Sequence, residues 1–297
     1  MVKNILVIRN DRFGEFLLVI PALRALKEAH AKGKLTLAVN PQVKELAGLI
    51  EGVDEVFVWD ELKRDLRRRK FDLCVIFNPA KEAHIAAFLS GIPVRVGYDR
   101  KWGFLLTHKI KDTKHLGNRH EVVCNLELVD SIGAKTADKS ISLNKIPAQN
   151  FSEYSGAIAI HPFTSDPVKQ WPVERFIGLA KRLAPFKVVL VGKTEDQEQF
   201  QPGNSPLGVI NLINKTSLVE LAQVLKQCKL LITCDSGPMH LAAAVGIPVV
   251  ALFRNDLPGK SAQRWGPWGE GHRIIEKAGL KDIEIEEVLA AVKDKLR

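Results

Sequence analysis

Four short stretches of this 297-residue chain carry the side chains best suited to chemistry. In RNDRFGEFLLVIPALRALK, residues 9–27, Glu15 follows Gly14 at the mouth of an apolar helix-like run, with Asp11 and Arg12 just before it. A carboxylate there can take a proton from a hydroxyl as a general base, or simply complement the helix dipole. In LLITCDSGPMHLAAAVGIPVVALF, residues 230–253, an apolar strand ends at Asp235, and Ser236-Gly237 turn the chain. Pro238 then suits a first helical position, and Gly246 stops the helix. The unbonded N–H groups of that helix start, beside the unshielded Gly237 backbone, form a seat for a diphosphate, with His240 in the first turn on the same mouth. The plainer reading is a tight βαβ turn in which Ser236 caps and His240 packs.

IAIHPFTSDPVKQWPVERF, residues 158–176, delivers His161-Pro162 from a strand, then a loop with Thr164, Ser165 and Asp166, and then Lys169 ahead of a helix start at Trp171-Pro172. A lysine so placed can offset charge building on a departing diphosphate. In VGKTEDQE, residues 191–198, Glu195 or Asp196 could accept hydrogen bonds from a sugar or ribose hydroxyl, or be ordinary charge at a helix start.

These loops need a scaffold. Short β-branched runs alternate with amphipathic stretches along the whole chain, which predicts βα units, parallel sheets and an α/β fold. Strands are expected over 5–8, 35–39, 55–58, 73–77 and 95–97, with helices over 15–30, 43–50 and 119–132. The rhythm restarts with strands over 157–160, 187–191, 209–212, 230–233 and 249–253, and helices over 173–184, 218–227, 239–245 and 285–296. The polar stretch ISLNKIPAQNFSEYSG between them reads as a linker, dividing the chain into two Rossmann-like βαβ domains, 1–150 and 151–297, facing each other across a cleft. In such sheets ligands lie beyond the carboxyl ends of the strands, where all four stretches fall.

Composition narrows the function. With 46% hydrophobic and 26% charged residues, the chain reads as globular. The uncharged run 238–253 is shorter than the roughly 20 residues of a membrane-spanning helix and is broken by Gly246-Ile247-Pro248. MVKNILVIR enters a strand directly, without a secretory pattern, so a cytoplasmic location is expected. Cys74, Cys124, Cys228 and Cys234 form no CxxC pair and read as reduced, mostly buried thiols. The net charge of +9 sits mainly in residues 1–150, with 25 Lys and Arg against 18 Asp and Glu. No RNP motif, zinc finger or basic heptad region accompanies it, so nucleic acid is not the expected partner, whereas a phosphorylated substrate or an anionic membrane surface fits. The run KRDLRRRK, 63–70, reads as the solvated face of a helix.

Five collinear segments carry a family resemblance: RNDRFGEFLLVIPALRALK, RHEVVCNLELVDSIGA, HPFTSDPVKQWPVERF, DSGPMHLAAAVGIPVVALF and RWGPWGEGHRII. Together they resemble glycosyltransferase family 9, the heptosyltransferases of lipopolysaccharide core synthesis, with DSGPMHLAAA the most specific. The resemblance implies a GT-B fold, an acceptor-binding N-terminal domain and a C-terminal domain that holds ADP-heptose. It also implies inverting transfer of a heptose or similar sugar to a lipopolysaccharide-core-type glycolipid without a metal, and no two aspartates stand one residue apart as a DxD site requires. Carried across by position, Glu15 would be the base, ionised by its helix terminus. Lys169, Asp235, Ser236, Gly237 and His240 would hold the donor, and the loop readings add Thr164, Ser165 and Glu195 or Asp196 on that side. The surplus of cations in the first half, not a positional match, offers Arg12 and Arg64 for the acceptor, with Lys63, Arg67 and Arg100 as further candidates and Asp11 beside them in the first loop. No cofactor is implied beyond the ADP-sugar substrate, and the anionic glycolipid acceptor implies work at the inner membrane face. Two departures stand out: Gly14-Glu15 where many members have Gly-Asp, and Arg254 where many have glycine after ALF. The rival readings are a non-catalytic nucleotide-sugar or anionic-glycolipid binding protein, and a nucleotide-sugar epimerase.

Overall fold

Runs such as NILVIR and LLITC, rich in branched apolar side chains, are buried along their length, as strands covered on both faces must be. A computed structural model describes residues 2–148, 151–194, 208–257 and 259–296, and divides into two units, 1–145 and 146–297. The division falls inside the expected linker, five residues before the expected boundary.

In the first unit the strands are β1 (Asn4–Arg9), β2 (Lys34–Val39), β3 (Glu55–Val58), β4 (Leu73–Ile76), β5 (Val94–Tyr98) and β6 (His108–Ile110). They form one parallel sheet in the order β3-β2-β1-β4-β5-β6. The second unit has β7 (Ile158–His161), β8 (Val188–Leu190), β9 (Val209–Asn211), β10 (Leu230–Cys234), β11 (Val249–Arg254) and β12 (Arg273–Lys277), also parallel, in the order β12-β11-β10-β7-β8-β9. Both orders are the doubly wound pattern: the chain builds outward on one side, then returns to the centre and builds on the other. The winding reverses between β1 and β4 in one unit and between β7 and β10 in the other. Ligand crevices open beyond the carboxyl ends of the strands at such reversals.

Several elements differ from the sequence expectation. The edge strands β6 and β12 were not expected, because HKI and RIIEK are polar and largely exposed rather than apolar runs. Such polar edges discourage pairing with another chain. The helix expected over 15–30 is two helices, Phe13–Leu17 and Ile20–Ala29, the second starting with Pro21 where no N–H is needed. Val43–Ile50 shortens to a 3-10 turn, Pro41–Val43, and a single turn, Lys44–Ala47. The basic run 63–70 begins just after the Trp59–Leu62 helix and contains the whole of the next, Leu66–Arg69, burying Leu66 while Arg64, Arg67 and Arg68 stay in solvent.

The core of the second unit gathers around Trp171, which is fully buried, meets Phe176 edge-on at 4.8 Å and donates its indole N–H to Ile283 O at 2.9 Å. All four cysteines are free and buried. Burial pushes the Cys228 and Cys234 thiols up to about 12, which makes them poor nucleophiles.

Candidate functional site

The two reversal points carry most of the residues singled out in the sequence, and each is built separately.

In the first unit β1 ends in Arg9, a buried cation that needs partners. Its Nε lies 2.8 Å from Asp11 Oδ1, and its guanidinium is 3.9 Å from Glu121 on the Glu121–Asp130 helix. Lys114 ion-pairs with the same Glu121 and places its ammonium 4.2 Å from the Tyr98 ring centre, while the Tyr98 hydroxyl donates to Cys124 O at 2.8 Å. Asp11, Arg9, Glu121 and Lys114 therefore form a chain of alternating charge beneath the loop that follows β1. Across the reversal point, the Asn78 amide after β4 donates to Asn10 Oδ1 at 2.7 Å and ties the two strand ends together.

Glu15 sits above this chain on the Phe13–Leu17 helix, half-buried, with Oε2 shielded from solvent and without a hydrogen-bond partner among the described residues. Burial raises its carboxyl above the ordinary value, and Asp11 raises it further; Arg9 and Arg12 oppose them. Asp11 is raised too, by burial, with Arg9 opposing. The shift is upward although Glu15 lies in the first turn of a helix. A five-residue helix has little dipole to offer, and desolvation outweighs it. Arg12 is the exposed N-cap of that helix. Arg64 lies in the connection after the Trp59–Leu62 helix, and no hydrogen bond or ion pair among the described residues joins it to Asp11 or Glu15. Lys63 is held by Asp60 and Glu82, each at 2.6 Å, and Arg100 by Asp112 at 3.2 Å.

In the second unit β10 runs into Asp235, Ser236 and the Gly237–Ala244 helix, with Pro238 in its first turn. Lys169 reaches across from the loop after β7 to ion-pair with Asp235. Ser236 occupies the N-cap position with extended backbone, yet its hydroxyl does not cap the helix. It turns instead to Thr233 Oγ1 at 2.9 Å, which lies 3.1 Å from His161 Nδ1. Ser217 shows the alternative, with a complete capping box through Glu220 on the Leu218–Gln227 helix. Diverting Ser236 leaves the first N–H groups of the Gly237–Ala244 helix without that side-chain acceptor. His161 is buried and neutral, its pKa pulled down to about 3 by burial. Gly192 after β8 packs on it so closely, with φ +133°, that an added Cβ would lie 2.6 Å from the ring.

The Lys169 loop is stapled on both sides. The Gln170 side-chain amide donates to Pro162 O at 2.6 Å and Trp171 O at 2.7 Å, while Gln170 Oε1 accepts from Thr164 N–H at 3.1 Å. The Thr164 hydroxyl donates to Asp166 O, and the Asp166 carboxylate accepts from Val168 N–H and pairs with Lys260 at 3.0 Å. Ser165 is exposed at the loop tip. Arg254, at the end of β11, binds Asp256 through two bonds and donates to Val168 O at 3.1 Å, so it braces the loop next to Lys169. His240 corrects an expectation, being only 4% exposed rather than presented at the mouth. Glu195 and Asp196 lie outside the described residues. Among those described, no group of three or more His, Cys, Asp or Glu side chains is placed to hold a metal.

Sequence reasoning gave no role to Arg9, Glu121, Lys114, Thr233 or His161. An arginine closing an otherwise apolar strand, ILVIR, was the available signal for the first. Glu121, Lys114 and Thr233 have none in the sequence, because only the sheet order brings them together.

Residues 59–289 match glycosyltransferase family 9 (heptosyltransferase). Lipopolysaccharide heptosyltransferase 2 of Escherichia coli K12 is 25% identical over 253 residues, 75% of this chain and 71% of that protein. Two solved structures share the fold across nearly the whole of both chains. A glycosyl transferase family 9 protein from Veillonella parvula has a TM-score of 0.85 at 23% identity, covering 99% of this chain and 97% of that one. The Escherichia coli ADP-heptose lipopolysaccharide heptosyltransferase II has 0.83 at 22%, covering 99% and 98%.

Proposed function

This chain belongs to glycosyltransferase family 9, and we propose that it transfers a heptose, or a closely similar sugar, from an ADP-sugar to a lipopolysaccharide-core-type glycolipid, inverting the anomeric centre and using no metal. The observation that carries this reading is the pairing of Lys169 with Asp235 beside a helix start whose N-cap serine is turned away. Those groups suit two phosphates: the ammonium meets their charge and the helix N–H groups point at their oxygens. Asp235 holds the lysine when the donor is absent and must share it when a diphosphate arrives.

Glu15 is the base. The acceptor oxygen attacks the anomeric carbon, the bond from that carbon to the diphosphate oxygen breaks, and the hydroxyl proton passes to a Glu15 carboxylate oxygen. One such displacement inverts the centre. Charge developing on the leaving ADP is met by Lys169 and the Gly237–Ala244 helix start. A carboxyl raised by burial suits this work better than an ordinary glutamate, because a base closer to the working pH has the greater proton affinity. Thr164 and Ser165 line the donor side of this proposal, and Asp11, Arg12 and Arg64 the acceptor side. The names of the relatives supply the donor and acceptor classes: the second structure above is of an ADP-heptose enzyme, and the sequence relative acts on lipopolysaccharide. A lipid-anchored acceptor brings the enzyme to a membrane face, and among the described residues no helix is long and apolar enough to cross one.

The test is incubation with ADP-heptose and a heptose-deficient lipopolysaccharide acceptor. Mass spectrometry should find the acceptor heavier by one heptosyl unit, with one ADP released per transfer. A chain that binds ADP-heptose with no acceptor product would be a binding protein instead, and one that interconverts the nucleotide sugar itself would be an epimerase.

A further inference from the structure

The Lys81–Leu89 helix departs from the usual surface pattern. After Lys81 and Glu82 its sequence, AHIAAFL, has no charged residue, and although Ala83, His84 and Ala87 face the core, its outer side ends in Phe88 and Leu89, 48% and 64% exposed. A helix with one face in water normally carries polar residues there. Beside it packs the short 3-10 turn Gly103–Leu105, which presents Phe104 at 68% exposure. Trp102 stands 5.3 Å from the Phe104 ring, with the Lys81 ammonium 4.8 Å from its own ring centre. Arg95 joins the two ends of this strip: its guanidinium lies 5.5 Å from the Phe88 ring centre and donates to Leu105 O at 2.8 Å. Exposed apolar side chains scattered singly need no explanation, but a connected strip does.

Charge says what covers it. Residues 81–116 hold seven Lys or Arg against three Asp or Glu, and exposed Lys101 and Lys111 flank the aromatic turn. Apolar and aromatic side chains rimmed by cations match a bilayer surface bearing anionic head groups, where the rings enter the boundary region and the cations meet phosphate. Lys81 and Trp102 also stand just past the carboxyl ends of β4 and β5, the end of the sheet that carries Glu15.

We infer that the strip formed by Phe88, Leu89, Trp102 and Phe104, with its rim of Lys81, Arg95 and Lys101, is the surface by which this protein docks on an anionic lipid bilayer. The inference rests on the transferase reading only for its purpose, and its test is separate. The full-length protein is sedimented with vesicles of phosphatidylglycerol and phosphatidylethanolamine, and with vesicles of phosphatidylcholine alone. Partition should favour the anionic vesicles by on the order of tenfold and survive in part at high salt, since apolar insertion is not screened. The variant Phe88→Ser/Phe104→Ser should lose on the order of tenfold in partition. Its melting temperature and its calorimetric ADP affinity should stay unchanged, because both side chains are exposed and lie outside the donor site. Absence of binding to anionic vesicles, or unchanged partition in the double variant, overturns the inference. So does a wild-type dimer that the double variant converts to monomer, which would make a second copy the occupant. Failure to bind ADP or transfer a sugar would count against the transferase reading and leave a positive vesicle result standing.

Discussion

At the β1/β4 reversal the chain concentrates ionised groups: Arg9, Glu121 and Lys114 stacked in the interior, with Asp11 and Glu15 raised above their ordinary values on top. At the corresponding reversal in the second unit, β7/β10, the interior is neutral. There His161 is uncharged, Thr233 and Ser236 share hydroxyl contacts, and the ion pair of Lys169 with Asp235 lies beyond them in the loops that follow the strands. Two sheets with one topology thus support opposite electrostatics. The fold supplies the place and the loops supply the chemistry. In the first unit burial, helped by Asp11 and opposed by Arg9, raises the carboxyl that is to take a proton. A neutral interior leaves helix N–H groups and one lysine to meet an anion that arrives with its own charge.

The sharpest way to break this contrast is Glu15→Gln, which keeps the shape and removes the proton acceptor. Transfer should fall by about 10²–10⁴ in kcat while ADP affinity holds. A wild-type rate would move the base to Asp11, the next carboxylate in the loop. Glu15→Asp, restoring the commoner family residue, should keep part of the rate.

Glu121→Ala leaves Arg9 and Lys114 buried without their shared counter-charge. Denaturant unfolding should show a loss of about 3–5 kcal/mol, whereas removing Glu286 from its exposed pair with Arg182 should leave the unfolding midpoint nearly unchanged. Equal effects would mean that the first unit is not the charge-dependent one.

Lys169→Ala should weaken ADP binding by about 1–3 kcal/mol in calorimetry, from both the lost contact and the exposed Asp235 carboxylate. Adding Asp235→Asn should recover part of it, since the repulsion goes with the charge.

A smaller effect sharpens the Glu15 assignment. Its folded-state pKa is raised, so at neutral pH the ionised carboxylate is penalised by folding, and the penalty disappears as pH falls through the folded pKa. Glu15→Gln should therefore melt higher than the wild type at neutral pH, with the gain fading in acid. The acid limb of wild-type kcat should lie above the ordinary glutamate value of about 4.3. Least of all should a chelator matter: transfer in EDTA is expected to match transfer without it.

Much of this was legible in the sequence because it depends on local pattern. Strands such as NILVIR and LLITC are buried on both faces and announce themselves as apolar runs, and Pro238 and Gly246 mark a helix start and stop. Lys169 and Asp235 were singled out separately, and the fold joins them across 66 residues. The upward shift of the Glu15 carboxyl was not legible, because it depends on burial and on Asp11, which is itself held by a buried arginine. The withheld cap of Ser236 was hidden for a similar reason. A serine before Gly-Pro reads as a cap, and only the register of β7 against β10, which sets His161 beside Thr233, shows it turned inward.

The division of labour between the two reversal points can be read directly by amide hydrogen exchange on the full chain, with and without saturating ADP. Protection should appear at the start of the Gly237–Ala244 helix and along residues 163–170, with residues 9–17 unchanged. Protection confined to residues 9–17 would place the nucleotide in the charged unit and contradict the account.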